Sequence, residues 1–245
     1  MKYLIWGGMA LCALGLAAWL VLADGWRTVQ TVRLILATEP FQQTIEGSPT
    51  ILVLGDSTAY GTGVRDARDS VPGQVGAAWP EYSVETIARN GWQLGDVATY
   101  VEQELPTTEY AAVIVQAGAN DIIQDIPLTT SETYLRQIVS QLQTKTDHIV
   151  WLHNGNIGAA SGFTGRTAER LTARSRTFRE MATTTAAELD IGYVDLFQEP
   201  DTDPFVAEPE RYLAADGIHL TPAGYQLWFQ ELRPVLADRL ESTVE

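Results

Sequence analysis

The chain has 245 residues, 45 % hydrophobic and 19 % charged, a balance that excludes wholesale disorder and suffices for one sizeable domain with an appendage. Its 31 acidic residues against 16 basic ones give a formal net charge of −15, which repels phosphate backbones and argues against nucleic acid as a partner. The lone cysteine, Cys12, excludes an intramolecular disulfide and any thiol site in the rest of the chain.

The first element is apolar. Tyr3 to Ala23 carry no charge and are flanked by Lys2 and Asp24. A helix of that length, at about 1.5 Å per residue, spans the roughly 30 Å hydrocarbon core. Trp6 and Trp19 fall towards its two ends, where indoles prefer the interface. The expectation is a transmembrane anchor over residues 1–23. A cleaved signal is the alternative, since Val21-Leu22-Ala23 would pass as a cleavage site. Lys2 and the free amino group favour a cytoplasmic N-terminus, while Arg27 and Arg33 beyond the run count against it. The remainder is then a single-pass protein's extracytoplasmic domain, or a secreted one if residues 1–23 are removed. Residues 24–48 read as a juxtamembrane linker with a weak helical stripe of Val29, Val32, Ile35 and Leu36, ended by Pro40 and Gly47-Ser48-Pro49.

From residue 49 to 245 short apolar runs alternate with longer amphipathic ones. Ile51–Leu54, Val84–Ala88, Ala111–Gln116, Ile149–His153 and Ile191–Leu196 read as buried strands. Helical patterns cover Gly95–Leu105, Ser131–Gln143, Thr167–Leu189 and Tyr225–Leu240. This alternation implies βαβ units and a five-stranded parallel sheet covered on both faces. Gln198–Ala215, acidic and proline-rich, reads as a surface loop near the site.

Ligands of such sheets bind at the carboxyl ends of the strands. The polar, glycine-flanked residues collect there: Gly55-Asp56-Ser57 after the first strand, Gly118-Ala119-Asn120-Asp121 after the third, His153-Asn154-Gly155-Asn156 after the fourth. Ser57 stands at a strand-to-helix turn suited to a nucleophile, although a serine there also caps helices. Three histidines are available as its base. His148 begins a strand on the wrong edge. His219 follows Asp216 by three residues, a spacing that lets a carboxylate hold the imidazole in the needed tautomer. His153 ends the fourth strand and stays open as an alternative. Asn120 and Gly95 are placed to offer a side-chain amide and a bare N–H to a developing oxyanion. Asp56 and Asp121 read as acceptors that organise their loops. Trp79, Trp92, Trp151 and Phe163 are candidates for an acyl pocket, with core packing the alternative. The Gly155–Gly158 loop is expected to border the substrate.

These motifs resemble the SGNH (GDSL) hydrolase superfamily. ILVLGDS (Ile51–Ser57), NGWQLGD (Asn90–Asp96), QAGAND (Gln116–Asp121) and DGIH (Asp216–His219), the last followed by LTPAGY, stand in the family's order from about residue 50 to 240. The resemblance implies a three-layer, flavodoxin-like α/β fold and neither metal nor other cofactor. It also implies hydrolysis of carboxylic esters or thioesters by Ser57, Asp216 and His219, with Ser57, Gly95 and Asn120 forming the oxyanion hole. An acyltransferase using the same acyl-enzyme, or a non-catalytic binding domain on the scaffold, are the alternatives. The expected partners are a small-molecule, lipid or sugar ester and, through residues 1–23, a membrane.

Overall fold

The computed structural model describes residues 25–106 and 108–241. The expected transmembrane segment lies outside them, and no helix among the described residues is long and apolar enough to cross a membrane.

Five parallel strands form one sheet: β1 (Thr50–Gly55), β2 (Ser83–Ala88), β3 (Ala112–Gln116), β4 (Ile149–Leu152) and β5 (Gly192–Val194), in the order β2-β1-β3-β4-β5. The three central strands are buried along nearly their whole length, because helices cover both faces and leave no solvent side to select polar residues. Alternation then decides which face each residue serves. Leu52, Leu54, Val113 and Trp151 pack against α4 (Leu94–Gln103), α6 (Leu128–Leu142) and α7 (Gly165–Glu188). Ile51, Val53, Ile114 and Val150 pack against α3 (Val71–Ala78) and α10 (Pro222–Glu241). The result is the expected three-layer architecture, with the strand order of flavodoxin-like folds.

The expected strands match within a residue, except that β5 shrinks to three, being an edge strand held only by β4. The opposite edge, β2, is covered rather than open. Gln43 bridges Val84 antiparallel, and the Gln42 side chain both donates to Thr86 O (2.8 Å) and accepts from Thr86 N (3.1 Å). Helix α3 has no counterpart in the sequence reading. Its VPGQVGAA carries Pro72 and two glycines, which hide a helical pattern, while Ser70 caps it by accepting from Gly73 N. The acidic loop also differs from expectation, since it holds two single turns, α8 (Pro204–Ala207) and α9 (Pro209–Tyr212), each begun by a proline at its first helical position.

The segment read as a linker forms a helix at residues 25–37, α1, which lies on the domain. Arg27 Nη1 donates to Gly162 O (2.8 Å), and the buried Thr38 Oγ1 just beyond the helix reaches Val64 O (3.0 Å). The chain's connections leave β1 and β3 in opposite directions, so a crevice opens between their carboxyl ends.

Candidate active site

Four short segments meet over that crevice. After β1, Asp56 caps the single turn α2 (Ser57–Tyr60): its Oδ1 accepts from Thr58 N (2.8 Å) and Thr58 Oγ1 (2.7 Å). The capping role falls to Asp56, so Ser57 begins the turn and lines the cavity. Burial pushes the Asp56 carboxyl up to about 6, against the pull of its Thr58 hydrogen bonds.

Ser57 and His219 are far apart in sequence, and the loops that follow them are locked together. Gly63 has φ +115°, and a Cβ there would stand 2.2 Å from Leu220 O. Tyr225 Oη donates to Thr62 O (2.8 Å), closing the same contact from α10.

Asp216 and His219 form a local turn around Gly217. Asp216 Oδ1 accepts from Ile218 N (3.0 Å) and His219 N (3.1 Å), and Oδ2 lies 2.7 Å from His219 Nδ1. With Nδ1–H given to Asp216, Nε2 is the basic nitrogen. Burial alone would raise the Asp216 carboxyl, but the bonds from His219 and Ile218 hold it at about 2. It is therefore an anion at neutral pH, and His219 lines the cavity that Ser57 lines.

After β3, Asn120 lies in α5 (Ala119–Ile123), lines the cavity, and gives one amide hydrogen to Trp92 O (2.9 Å). The second hydrogen is available to a ligand. Asp121 next to it accepts from Leu94 N (3.0 Å) and Ser131 Oγ (3.0 Å), which pins the start of α4; burial raises its pKa. Asp56 and Asp121 thus organise loops, as their sequence positions imply. Gly95 is the second residue of α4, where the first turn leaves its N–H without an intrahelical acceptor. A Cβ on Gly95 would meet the Tyr134 ring at 3.0 Å. The glycine lining the cavity on this side is Gly91, at φ +86°, rather than Gly95.

His153 sits elsewhere. It is buried, stacked on Phe178 with centroids 5.8 Å apart, and burial drives its pKa down to about 4. It is a core residue, and it is not among those lining the cavity. His148 stands at the opposite end of β4.

The cavity measures about 460 Å³, and apolar groups make most of its wall. Phe163, Leu213, Ile218, Leu220 and Trp228 line it, together with Gly155, Asn156 and Ile157 of the loop after β4. Of the four aromatic residues considered from sequence, Phe163 alone is in the wall. Trp151 is core, Trp79 meets Phe229 edge-on, and Trp92 packs against Tyr100. The contributions that sequence reasoning missed come from far away in the chain. Trp228 arrives on α10, and Thr31 and Ile35 arrive on α1. Thr31 Oγ1 donates to Asp216 Oδ2 at 3.0 Å. The weak helical stripe showed that residues 25–37 could be a helix; it carried no sign of what its polar residues would touch.

The described residues hold no group of three or more His, Cys, Asp or Glu side chains arranged to bind a metal ion.

No protein with a curated description matches the chain. Solved structures do. A structure titled TesA shares 17 % identity at a TM-score of 0.62, covering 78 % of this chain and 99 % of its own. The lipase/acylhydrolase from Enterococcus faecalis shares 22 % at 0.61, covering 78 % and 96 %. A lipolytic protein of the G-D-S-L family from Veillonella parvula DSM 2008 shares 19 % at 0.61, covering 77 % and 98 %. At such identities these structures speak for the fold. The family itself is shown by a match to the GDSL-like lipase/acylhydrolase model over residues 53–227, most of the chain, and the protein therefore belongs to that family of ester hydrolases.

Proposed function

We propose that the protein hydrolyses carboxylic esters with an apolar acyl group through an acyl-enzyme on Ser57. The observation that carries this reading is the 2.7 Å bond from His219 to Asp216, with His219 lining the same largely apolar cavity as Ser57 and Asn120. His219 Nε2 takes the Ser57 proton as Oγ attacks the ester carbonyl. Asp216 stabilises the imidazolium that forms, without itself taking the proton. The Ser57 N–H and the second Asn120 amide hydrogen receive the oxyanion, while Gly95, the third donor that the family resemblance implies, is not among the residues of the cavity wall. His219 then protonates the leaving alcohol, and water repeats the cycle on the acyl-enzyme. The apolar wall holds the acyl chain and keeps bulk water from the ester bond.

We further propose that the domain lies outside the membrane, tethered through residues 1–23. The support is the uncharged run Tyr3–Ala23 and the lysine before it.

The test is a panel of nitrophenyl esters from acetate to palmitate, run with the parent, Ser57→Ala, His219→Ala and His153→Ala. Activity lost in the first two variants and kept in the third supports the assignment. A folded parent that cleaves no ester sinks it.

A further inference from the structure

Among the described residues, the large apolar side chains that stand exposed are Trp26, Val29, Val32 and Leu36 on α1 and Val206 on α8. They are not scattered over the molecule. Helix α1 also carries Thr31 and Ile35 into the cavity wall, and Val206 follows Phe205, another lining residue. The exposed apolar side chains therefore sit on the two elements that also supply Thr31, Ile35 and Phe205 to the cavity wall.

Helix α1 has two apolar sides. At 3.6 residues per turn, Thr31, Leu34, Ile35 and Thr38 fall towards the domain, whereas Val29, Val32 and Leu36 fall on the opposite side. Seating on the domain explains the first set. It leaves the second in water, and the adjoining sequence says what covers it. The uncharged run Tyr3–Ala23 ends one residue before Asp24 and two before the helix begins. Residues 25–37 contain Arg27 and Arg33 and no acidic residue, in a chain whose formal net charge is −15. Arg27 is engaged on the domain at Gly162 O, so Trp26 at one end, an apolar side and Arg33, which lies over the Trp26 ring, make up the face of a helix that lies in a membrane interface.

We propose that α1 rests on a lipid bilayer through Trp26, Val29, Val32 and Leu36, with Val206 beside them, and holds the cavity at the membrane surface to take the acyl chains of bilayer-borne esters. The docking stands on the exposed face and its neighbouring apolar run. The substrate class rests in addition on the esterase reading above.

The experiment uses the full chain with Cys12→Ser and one new cysteine at a time: Val29→Cys, Leu36→Cys, Val206→Cys and, as control, Glu180→Cys on exposed α7. Each is labelled with an environment-sensitive fluorophore and reconstituted in phosphatidylcholine vesicles, with or without phosphatidylglycerol. Lipids carrying a nitroxide on the acyl chain serve as quencher. Labels at 29, 36 and 206 should shift to the blue and be quenched, while the label at 180 is not. Labels as exposed as the control overturn the proposal. So do labels shielded without lipid quenching, the result of a second copy or of residues 1–24 folding over the face. The double variant Val29→Asp/Leu36→Asp should lose about tenfold on a long-chain ester dissolved in the vesicles and keep its rate on soluble nitrophenyl acetate. Quenched labels with unchanged vesicle turnover overturn the substrate class. A parent inactive on every ester removes the esterase reading and leaves the quenching result standing.

Discussion

The Asp216 carboxylate receives four donors: Ile218 N, His219 N, His219 Nδ1 and Thr31 Oγ1. Three come from its own turn and one from α1, so its charge is set partly by a segment outside the residues matched to the family. A hydrogen bond to an ionised group is worth about 1.5–3 kcal/mol. Thr31→Val should therefore lower kcat by about tenfold, and Thr31→Ser should restore it. An unchanged kcat in Thr31→Val would leave Thr31 a packing role only. Asn120→Ala should cost about 10²–10³ in kcat with little change in KM, the effect of one lost oxyanion donor. Steady-state kinetics on a single nitrophenyl ester measures both.

At the scale of elements, the site depends on helix starts being held where the strands diverge. Asp121 does this for α4 by accepting from Leu94 N and Ser131 Oγ, both in buried surroundings. Asp121→Ala strands both donors, at about 1–3 kcal/mol each. The urea midpoint should fall well below that of Ser131→Ala, which removes one donor and leaves the other satisfied. The tie from Asn120 to the Trp92 carbonyl spans the same junction. Asp121→Ala should then lower kcat as well as stability, and retained kcat in the folded variant would show that the Asn120 amide holds its place alone. The turn of Asp216 and His219 is legible in sequence because its three-residue spacing closes its own hydrogen bonds. The start of α4 is less so, since Asp121 acts across 27 residues and nothing local marks its partner.

For the whole molecule, three buried titrating groups set opposing pH dependences. Asp56 and Asp203 are raised by burial from 3.8 to about 6, while His153 is lowered by burial from 6.5 to about 4. Between pH 4 and 6 the two folded carboxyls bind protons that the unfolded chain has released, so they favour the folded state less as pH rises. His153 acts the other way in that window, because the unfolded chain binds its proton and the fold does not. For Asp56, fully buried, the shift corresponds to the order of 3 kcal/mol. Urea midpoints at pH 4.5 and 6.5 should show Asp56→Asn flattening the loss of stability with rising pH and His153→Phe steepening it. Asp216 contributes in the opposite range: its depressed pKa adds stability above about 4, lost as pH falls towards about 2. Asp216→Asn should remove that acid-side loss and, with the imidazole no longer held in its tautomer, about 10⁴ in kcat.

The layered sheet is legible in the sequence, because runs such as Ile51–Leu54 and Ala112–Val115 are apolar at every position only where both faces are covered. The sequence also determined the residues whose roles depend on near neighbours, Ser57 at its turn and His219 three residues after Asp216, since chain connectivity alone holds those groups together. Tertiary structure decided what meets across the fold. It put His219 in the cavity wall and left His153 in the core, stacked on Phe178. It brought Trp228 to the cavity instead of Trp79, Trp92 or Trp151, and set Thr31 against an aspartate 185 residues away. Periodicity reports which side of an element is apolar, and the partner of that side is fixed by how helices and loops pack, which no local pattern contains.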